Sequence, residues 1–423
     1  MKRATLAAAL LGASFVAAAP DSPAPVASVT PIARPARLLR TLAHDPGGYN
    51  PERVNVVTDL LLGDFLFHSP STLGPKAQKL GISCNTCHPN GATDPRFVLP
   101  GDKPVHPGSV DVTTGRFRPE AENGREDPVN IPSLRGVRFT APYGHDGRMA
   151  SLHDFSQSVV VNELDGAPLA WGELSALVHY LQDFDFLPDG KLDAQSRITA
   201  LAGPAARRGE VEFNKPRKGF GGQGCDSCHV VSSFFRDAKV HRLPTGGGAS
   251  PRGFEQGFET PTLLGTLESA PYFHDGRFAA LGDVVAWFDT TYALGLTKGE
   301  RADLTAYLEA VGSADSPEDR RPLAQALDAT FVYLELLAAG SVKDDRRVWA
   351  AVTALCVEAL DSAPRRPELE ERRLRDRKSL TDLDARARAA ANLDGLRDEA
   401  KLLHRELTRY GADLQGALAA EKR

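Results

Sequence analysis

Methionine is almost missing from this chain: only Met1 and Met149 occur in 423 residues. A thioether ligand is therefore excluded anywhere beyond residue 149. Long apolar runs are also missing. After Ala4–Ala19 no segment approaches the length that spans a bilayer, which argues against a polytopic membrane protein. Basic excess is absent too. Fifty Lys and Arg face 55 Asp and Glu, a formal charge of −5, and losing Lys2 and Arg3 would make it −7. That balance disfavours nucleic acid as a partner. Cysteine is scarce, with five in the whole chain.

The first residues read as a secretory leader over 1–24. Lys2 and Arg3 precede the small apolar run Ala4–Ala19, then Pro20 and a Pro/Ala-rich stretch, with cleavage near Ala18 or Ala24. The alternative is a retained anchor, against which the run is short and alanine-rich. The mature chain is expected to be exported, to the periplasm or beyond.

Four of the five cysteines fall in two pentapeptides, Cys84-Asn85-Thr86-Cys87-His88 and Cys225-Asp226-Ser227-Cys228-His229. Each can attach a c-type haem: the two thiols add across the haem vinyl groups and the histidine binds iron from below. A zinc site built from two Cys-x-x-Cys pairs is the alternative. It leaves unexplained why a histidine follows both pairs. Cys356 lies in the apolar-rich run Val348–Cys356 and reads as a buried free thiol.

The chain is internally duplicated. Residues 131–155 and 260–284 align without gaps and match at 13 of 25 positions, including Ala-Pro-Tyr-x-His-Asp-Gly-Arg. The repeat extends outward. Gly63-Asp64-Phe65-Leu66-Phe67 precedes the first pentapeptide as Gly209-Glu210-Val211-Glu212-Phe213 precedes the second. Leu174, Leu177, Val178 and Leu181, then Leu304, Tyr307, Leu308 and Val311, give each half a closing helix. The Gly/Pro/Asp-rich stretches between motif and repeat read as ordered loops rather than strands. The expected architecture is all-α: two tandem c-type cytochrome domains, 41–190 and 195–312, then a helical extension, 313–423. In that extension helices are expected over Leu323–Ala339 and Arg346–Leu360. A heptad seam of Leu396, Ala400, Leu403, Leu407, Tyr410 and Leu414 is expected to pack within the chain as a hairpin or bundle. Oligomerisation or a partner contact through the extension stays open.

These residues give the chain a resemblance. Two haem motifs, with Ala-Pro-Tyr-Phe-His-Asp-Gly-Arg and Asp283-Val284-Val285 in the second half, resemble bacterial di-haem cytochrome c peroxidases and the related MauG-type enzymes over about 60–312. The resemblance implies peroxide chemistry at the first haem and electron entry at the second, from a redox partner such as a small cytochrome or cupredoxin. His88 and His229 become the proximal iron ligands. It implies a capping histidine in the loop after the first motif, where His106 lies; a solvent-exposed loop histidine is the alternative. It implies a methionine or tyrosine fourteen residues after His274, but that position is Phe288. Tyr292, His274 or His241 could substitute, or the iron could be open. The family's inter-haem tryptophan is replaced by His145. His145 and His274 are distal ligands or structural residues, paired with Asp146 and Asp275 in their turns. The resemblance further implies a glutamate after the first turn. Glu163 sits at nearly that place and could serve as general base and then acid; a surface glutamate at a helix end is the bland reading. Calcium is implied at Asn130, Ser269 and Pro271, the last two through backbone carbonyls.

Three functions follow in order. The first is an exported di-haem peroxidase-like oxidoreductase that reduces hydrogen peroxide. The second is a di-haem electron carrier without substrate chemistry. The third is a haem subunit of a larger complex, docked by the C-terminal helices. Intact-mass measurement of the exported protein is expected to show two haem additions, with a c-type pyridine haemochrome spectrum; one addition or none refutes the two-motif reading.

Overall fold

The computed structural model describes residues 51–421, apart from 102–106, 113–114, 123, 125–126, 187–188, 245–256, 314–322 and 339–345. The leader over 1–24, residues 41–50 and His106 lie outside the described residues.

Each half is built on a helix pair crossing at a glycine. In the first half α1 (Pro51–His68) is followed by α2 (Leu152–Ser158) and α3 (Trp171–Gln182). In the second, α4 (Gly203–Asn214) is followed by α5 (Leu281–Thr291) and α6 (Lys298–Gly312). A β-carbon on Gly63 would overlap the carbonyl oxygen of Ala176 in α3, and one on Gly209 would overlap that of Asp303 in α6. Four residues on, and so on the same helix face, Phe67 and Phe213 fill the space beside the crossing. Phe67 lies 5.3 Å from the Tyr180 ring and Phe213 lies 4.9 Å from the Tyr307 ring. The duplicated Gly-x-x-x-Phe is therefore a packing device used twice. The apolar positions expected on the closing helices are all buried. Thr297 begins α6 with a reciprocal cap: its hydroxyl accepts from the Glu300 N–H at 3.2 Å, and Glu300 Oε2 accepts from the Thr297 N–H at 2.8 Å.

The segments between motif and repeat are not free of strand. The first contains β1 (Ser109–Val110) paired antiparallel with β2 (Val129–Asn130), and the second β3 (Val240–His241) paired with β4 (Phe258–Glu259). Two-residue ladders leave no alternating pattern long enough to read in sequence. They pinch each long loop at its neck. The equivalent registers, Ser109 with Asn130 and Val240 with Glu259, extend the duplication to the backbone.

Among the described residues the C-terminal extension is a bundle of four helices: α7 (Leu323–Ala338), α8 (Arg346–Ser362), α9 (Pro367–Ala389) and α10 (Arg397–Glu421). Its core includes Trp349, Phe331, Cys356 and the seam residues Ala400, Leu403, Leu407, Tyr410 and Leu414. Leu396 departs from the expected seam. It ends a short 3₁₀ turn, Asp394–Leu396, ahead of α10, and packs at the edge of the cluster. The bundle is not separate from the first half, because α8 packs on α1 and Leu60 of α1 belongs to the bundle core. Among the described residues no helix is long and apolar enough to cross a membrane.

Gly209→Ala is expected to cost about 1–3 kcal/mol by overpacking the α4–α6 crossing. Gly416→Ala, on an exposed part of α10 with no atom near its β-position, is expected to gain about 0.5–1 kcal/mol. Urea unfolding of the two variants distinguishes steric demand from helix propensity.

Candidate functional site

Each pentapeptide forms one helical turn. Cys84–Cys87 is opened by Ser83, whose N–H donates to Thr86 Oγ1 at 2.9 Å. Cys225–Ser227 forms the second turn. His88 N–H donates to the Cys84 carbonyl and His229 N–H to the Cys225 carbonyl, both at 2.9 Å. Residues i, i+3 and i+4 of a turn share one face, so both thiols and the histidine are presented together. None of the four cysteines is in a disulfide. Burial pushes Cys84 and Cys87 up to about 12 and Cys225 up to about 11, and also raises Cys228. Burial likewise pulls His88 down to about 4, against the Pro132 carbonyl, and lowers His229, against the carbonyls of Phe235 and Pro261. Both rings are neutral near pH 7, as iron ligation requires. His229 Nδ1 donates to the Phe235 carbonyl at 3.0 Å, which leaves the Nε2 lone pair for a metal.

One cavity of about 920 Å³ is lined by both motifs. Its walls are mainly apolar: Leu99, Phe117 and Ile131 in the first half, Leu263, Leu281 and Leu296 in the second. Paired protonated thiols, neutral histidines and an apolar chamber beside them fit a c-type haem at each motif. They do not fit the zinc alternative. Among the described residues only Cys228, Asp237 and His241 bring ligand atoms within 4.8 Å of one another, and the two cysteine pairs do not converge. His241 Nε2 is in turn 2.7 Å from Asp237 Oδ2.

The halves meet by reciprocal exchange. Asn130 N–H on β2 donates to the His274 carbonyl of the opposite turn, and Glu259 N–H on β4 donates to the His145 carbonyl, both at 2.8 Å. Two more residues stand at matching stations. Thr93 Oγ1 donates to the Ile131 carbonyl at 2.7 Å, and its N–H reaches across to the Glu268 carbonyl at 2.9 Å. Arg236 Nε donates to the Thr260 carbonyl at 3.3 Å, and Nη1 reaches across to the Phe139 carbonyl at 3.1 Å. Residues 131 and 260, like 139 and 268, are repeat equivalents. The seam is thus pseudo-symmetric in its bonds though not in its residues.

The other sequence candidates distribute unevenly. Glu163 closes a π-helical turn, Val159–Glu163, that continues α2, and it lines the cavity. Such turns are frequent at functional sites. Its Oε1 is 3.5 Å from Arg148 Nη2. Tyr292 is its repeat equivalent, 129 residues on, and also lines the cavity. There the tyrosine stacks on Phe288 at 5.9 Å and meets Phe220 at 4.9 Å. The two halves therefore differ, acid against aromatic, at one matched position. His274 lines the cavity, stacked on Phe258 at 4.1 Å, and burial holds it down at about 4. His145 Nε2 donates to the Asn130 carbonyl at 3.0 Å. The turn aspartates bond the arginines two residues on: Asp146 takes Arg148 Nη1 at 2.9 Å and Asp275 takes Arg277 Nε at 2.8 Å. The three calcium candidates lie on the seam. Asn130 Nδ2 donates to the Pro271 carbonyl at 2.7 Å, and Ser269 Oγ accepts from Ser133 N–H at 3.3 Å.

No protein-family model matches the chain. Among curated proteins, hydrazine synthase subunit gamma of Kuenenia stuttgartiensis is 23% identical over 223 residues, 41% of this chain and 60% of that protein. Cytochrome-c peroxidase IdrP1 of Denitromonas iodatirespirans is 34% identical over 86 residues, 16% of this chain and 23% of that protein. The chain thus spans less than two thirds of the length of either relative. Among solved structures, hydrazine synthase of Kuenenia stuttgartiensis aligns at TM-score 0.42 and 20% identity, covering 73% of this chain and 99% of that one. A MauG-like protein associated with microbial copper homeostasis aligns at 0.42 and 16%, covering 63% and 95%. The peroxidase match is a partial likeness to a cytochrome-c peroxidase, confined to 86 residues.

Sequence reasoning passed over Arg148 as Glu163's neighbour, although the repeat contains it. It also missed Arg236 and Glu259, which lie outside the matched turns. Burial pushes Glu259 up to about 7, against the opposing pull of Arg236. A carboxyl raised on folding from 4.5 contributes stability that is complete below about pH 4.5 and is lost as pH rises through about 7. Glu259→Gln is expected to flatten the dependence of unfolding free energy on pH across that window, measured by urea titration at several pH values.

Proposed function

We propose that the chain is an exported di-haem c-type cytochrome that reduces hydrogen peroxide to water. The observation that carries this reading is Glu163, beside Arg148, in the wall of the cavity that both haem motifs line. The balance is one peroxide, two protons and two electrons giving two waters, with the electrons coming from a reduced partner such as a small cytochrome or cupredoxin. The haems, when bound, supply redox-active iron and a path for electrons. Cys84 and Cys87, then Cys225 and Cys228, would tether them, and His88 and His229 would each supply an imidazole nitrogen to an iron. Glu163 takes the proton from one peroxide oxygen and delivers it to the other, so cleavage of the O–O bond expels water rather than hydroxide. Arg148 orients that carboxylate. The aromatic wall of Phe220, Phe288 and Tyr292 offers no carboxylate at the matched place, which supports the second half as the electron entry. Residues 41–190 and 195–312 are read as the two haem domains. Calcium at Asn130, Ser269 and Pro271 belongs to the same proposal and is supported by their position on the seam.

Two observations favour other readings. The neutral His274 ring lines the cavity and could cap an iron, as an electron carrier requires. The similarity to a synthase subunit, with Leu374 and Leu402 exposed on the C-terminal bundle, favours a haem component of a larger assembly.

Glu163→Gln is expected to slow peroxide turnover by about 10²–10⁴-fold with both haems retained. The assay uses a reduced donor and a pre-reduced second haem. Unchanged turnover removes Glu163 from the reaction; absent turnover in the wild type moves the assignment to the electron carrier.

A further inference from the structure

The peptide segment Phe234–Arg236 joins two functions that are separate in the sequence. On one side it serves the second haem motif, because the Phe235 carbonyl accepts the hydrogen bond from His229 Nδ1. On the other it grips the first half of the chain. Arg236, only 3% exposed, donates to the carbonyls of Phe139 and Ala141 across the seam at 3.1 and 3.0 Å. It also pairs with Glu259 and bonds the Thr260 carbonyl in its own half. Phe234 stacks on Phe139, 4.6 Å between ring centres at 17°, with Phe186 of the first half 6.0 Å away.

The backbone here is strained. Phe234 and Phe235 have φ of 55° and 57°, and Ala238 has 54°. Left-handed backbone crowds the β-carbon of any residue other than glycine against its own carbonyl. Two such residues in succession persist only where surrounding contacts over-determine them. Those contacts are the stack on Phe139, the four-way anchorage of Arg236 and the bond from Thr262 Oγ1 to the Phe234 carbonyl at 2.7 Å. The matching station in the first half is the neutral Thr93, which has neither the reach nor the charge.

We propose that Phe234–Arg236 is a tensioned link through which the first half sets the orientation of His229, with Arg236 as a positioning residue for the second haem's proximal ligand. The proposal rests on haem attachment at the second motif but not on peroxide turnover. A strong Nδ1–H bond to a carbonyl raises the basicity of a ligating imidazole, and hydrogen bonding around a haem's ligands tunes its potential. Loosening the link weakens that bond. Ferric iron is then less stabilised at the second haem, and its midpoint potential rises. The same loosening shifts the second haem relative to the first and slows the single-electron step in which the second is oxidised as the first is reduced.

The test uses the full haem-loaded chain, with both haems counted by intact mass. Potentiometric titration and flash photoreduction are applied to wild type, Arg236→Gln, Arg236→Lys and Phe139→Ala. Arg236→Gln is expected to raise the second haem's potential, leave the first unchanged, and slow inter-haem electron transfer by about tenfold, the lower end of losses on removing outer-shell support. Arg236→Lys is expected to recover part of both. Phe139→Ala changes a part-exposed residue of the first half, so it remains informative where an Arg236 variant fails to retain haem. It too is expected to raise the potential of the second haem alone. Equal shifts at both haems, or none in Phe139→Ala, overturn the proposal. Loss of peroxide turnover in wild type with these shifts intact refutes the peroxidase reading and leaves the link standing.

Discussion

Two backbone hydrogen bonds organise everything near the cavity. Asn130 donates to His274 and Glu259 donates to His145, so each repeat turn is completed by a strand from the other half. The cavity is lined from both halves. Backbone donors buried at such a seam demand partners, since an orphaned group costs about as much as a lost hydrogen bond. Meeting that demand across the seam fixes the register of the halves. It also explains why the duplicated segments stay so alike: a turn whose carbonyl must meet a partner strand has little conformational freedom.

Within that shared frame the chemistry diverges. The matched pair Glu163 and Tyr292 gives one half a carboxylate and the other a phenol among aromatic rings. The π-helical turn before Glu163 has no counterpart in the continuous α5, which reaches Thr291 without interruption. An extra residue per turn re-aims the side chain at its end, so the difference between halves lies in backbone as well as residue type. Duplication followed by change at one matched position gives the two halves inequivalent cavity walls.

Much of this is legible in the sequence. The pentapeptides gave the thiol and histidine geometry because their spacing is that of one helical turn. The Gly63 and Gly209 segments were visible as repeats, and the closing helices showed their period in Leu174–Leu181 and Leu304–Val311. The two-residue ladders are not legible, because two residues carry no alternation. Arg236 was not legible either, since its station in the first half is occupied by Thr93, a residue of different size and charge. The bonds between Asp146 and Arg148, and between Asp275 and Arg277, redirect aspartates that sequence proximity had assigned to the neighbouring histidines. Position along a chain gives neighbours, but turn geometry chooses among them.

The fifth cysteine has its own consequence. Cys356 is wholly enclosed in the C-terminal bundle, its Sγ 4.0 Å from the Thr330 carbonyl. On the proposed reading four thiols await haem attachment, and an accessible fifth thiol could trap one of them as a disulfide. Thiolate reactivity needs both exposure and a lowered pKa, and full enclosure denies the first. On that reading, enclosure in the folded bundle keeps Cys356 away from the other four thiols.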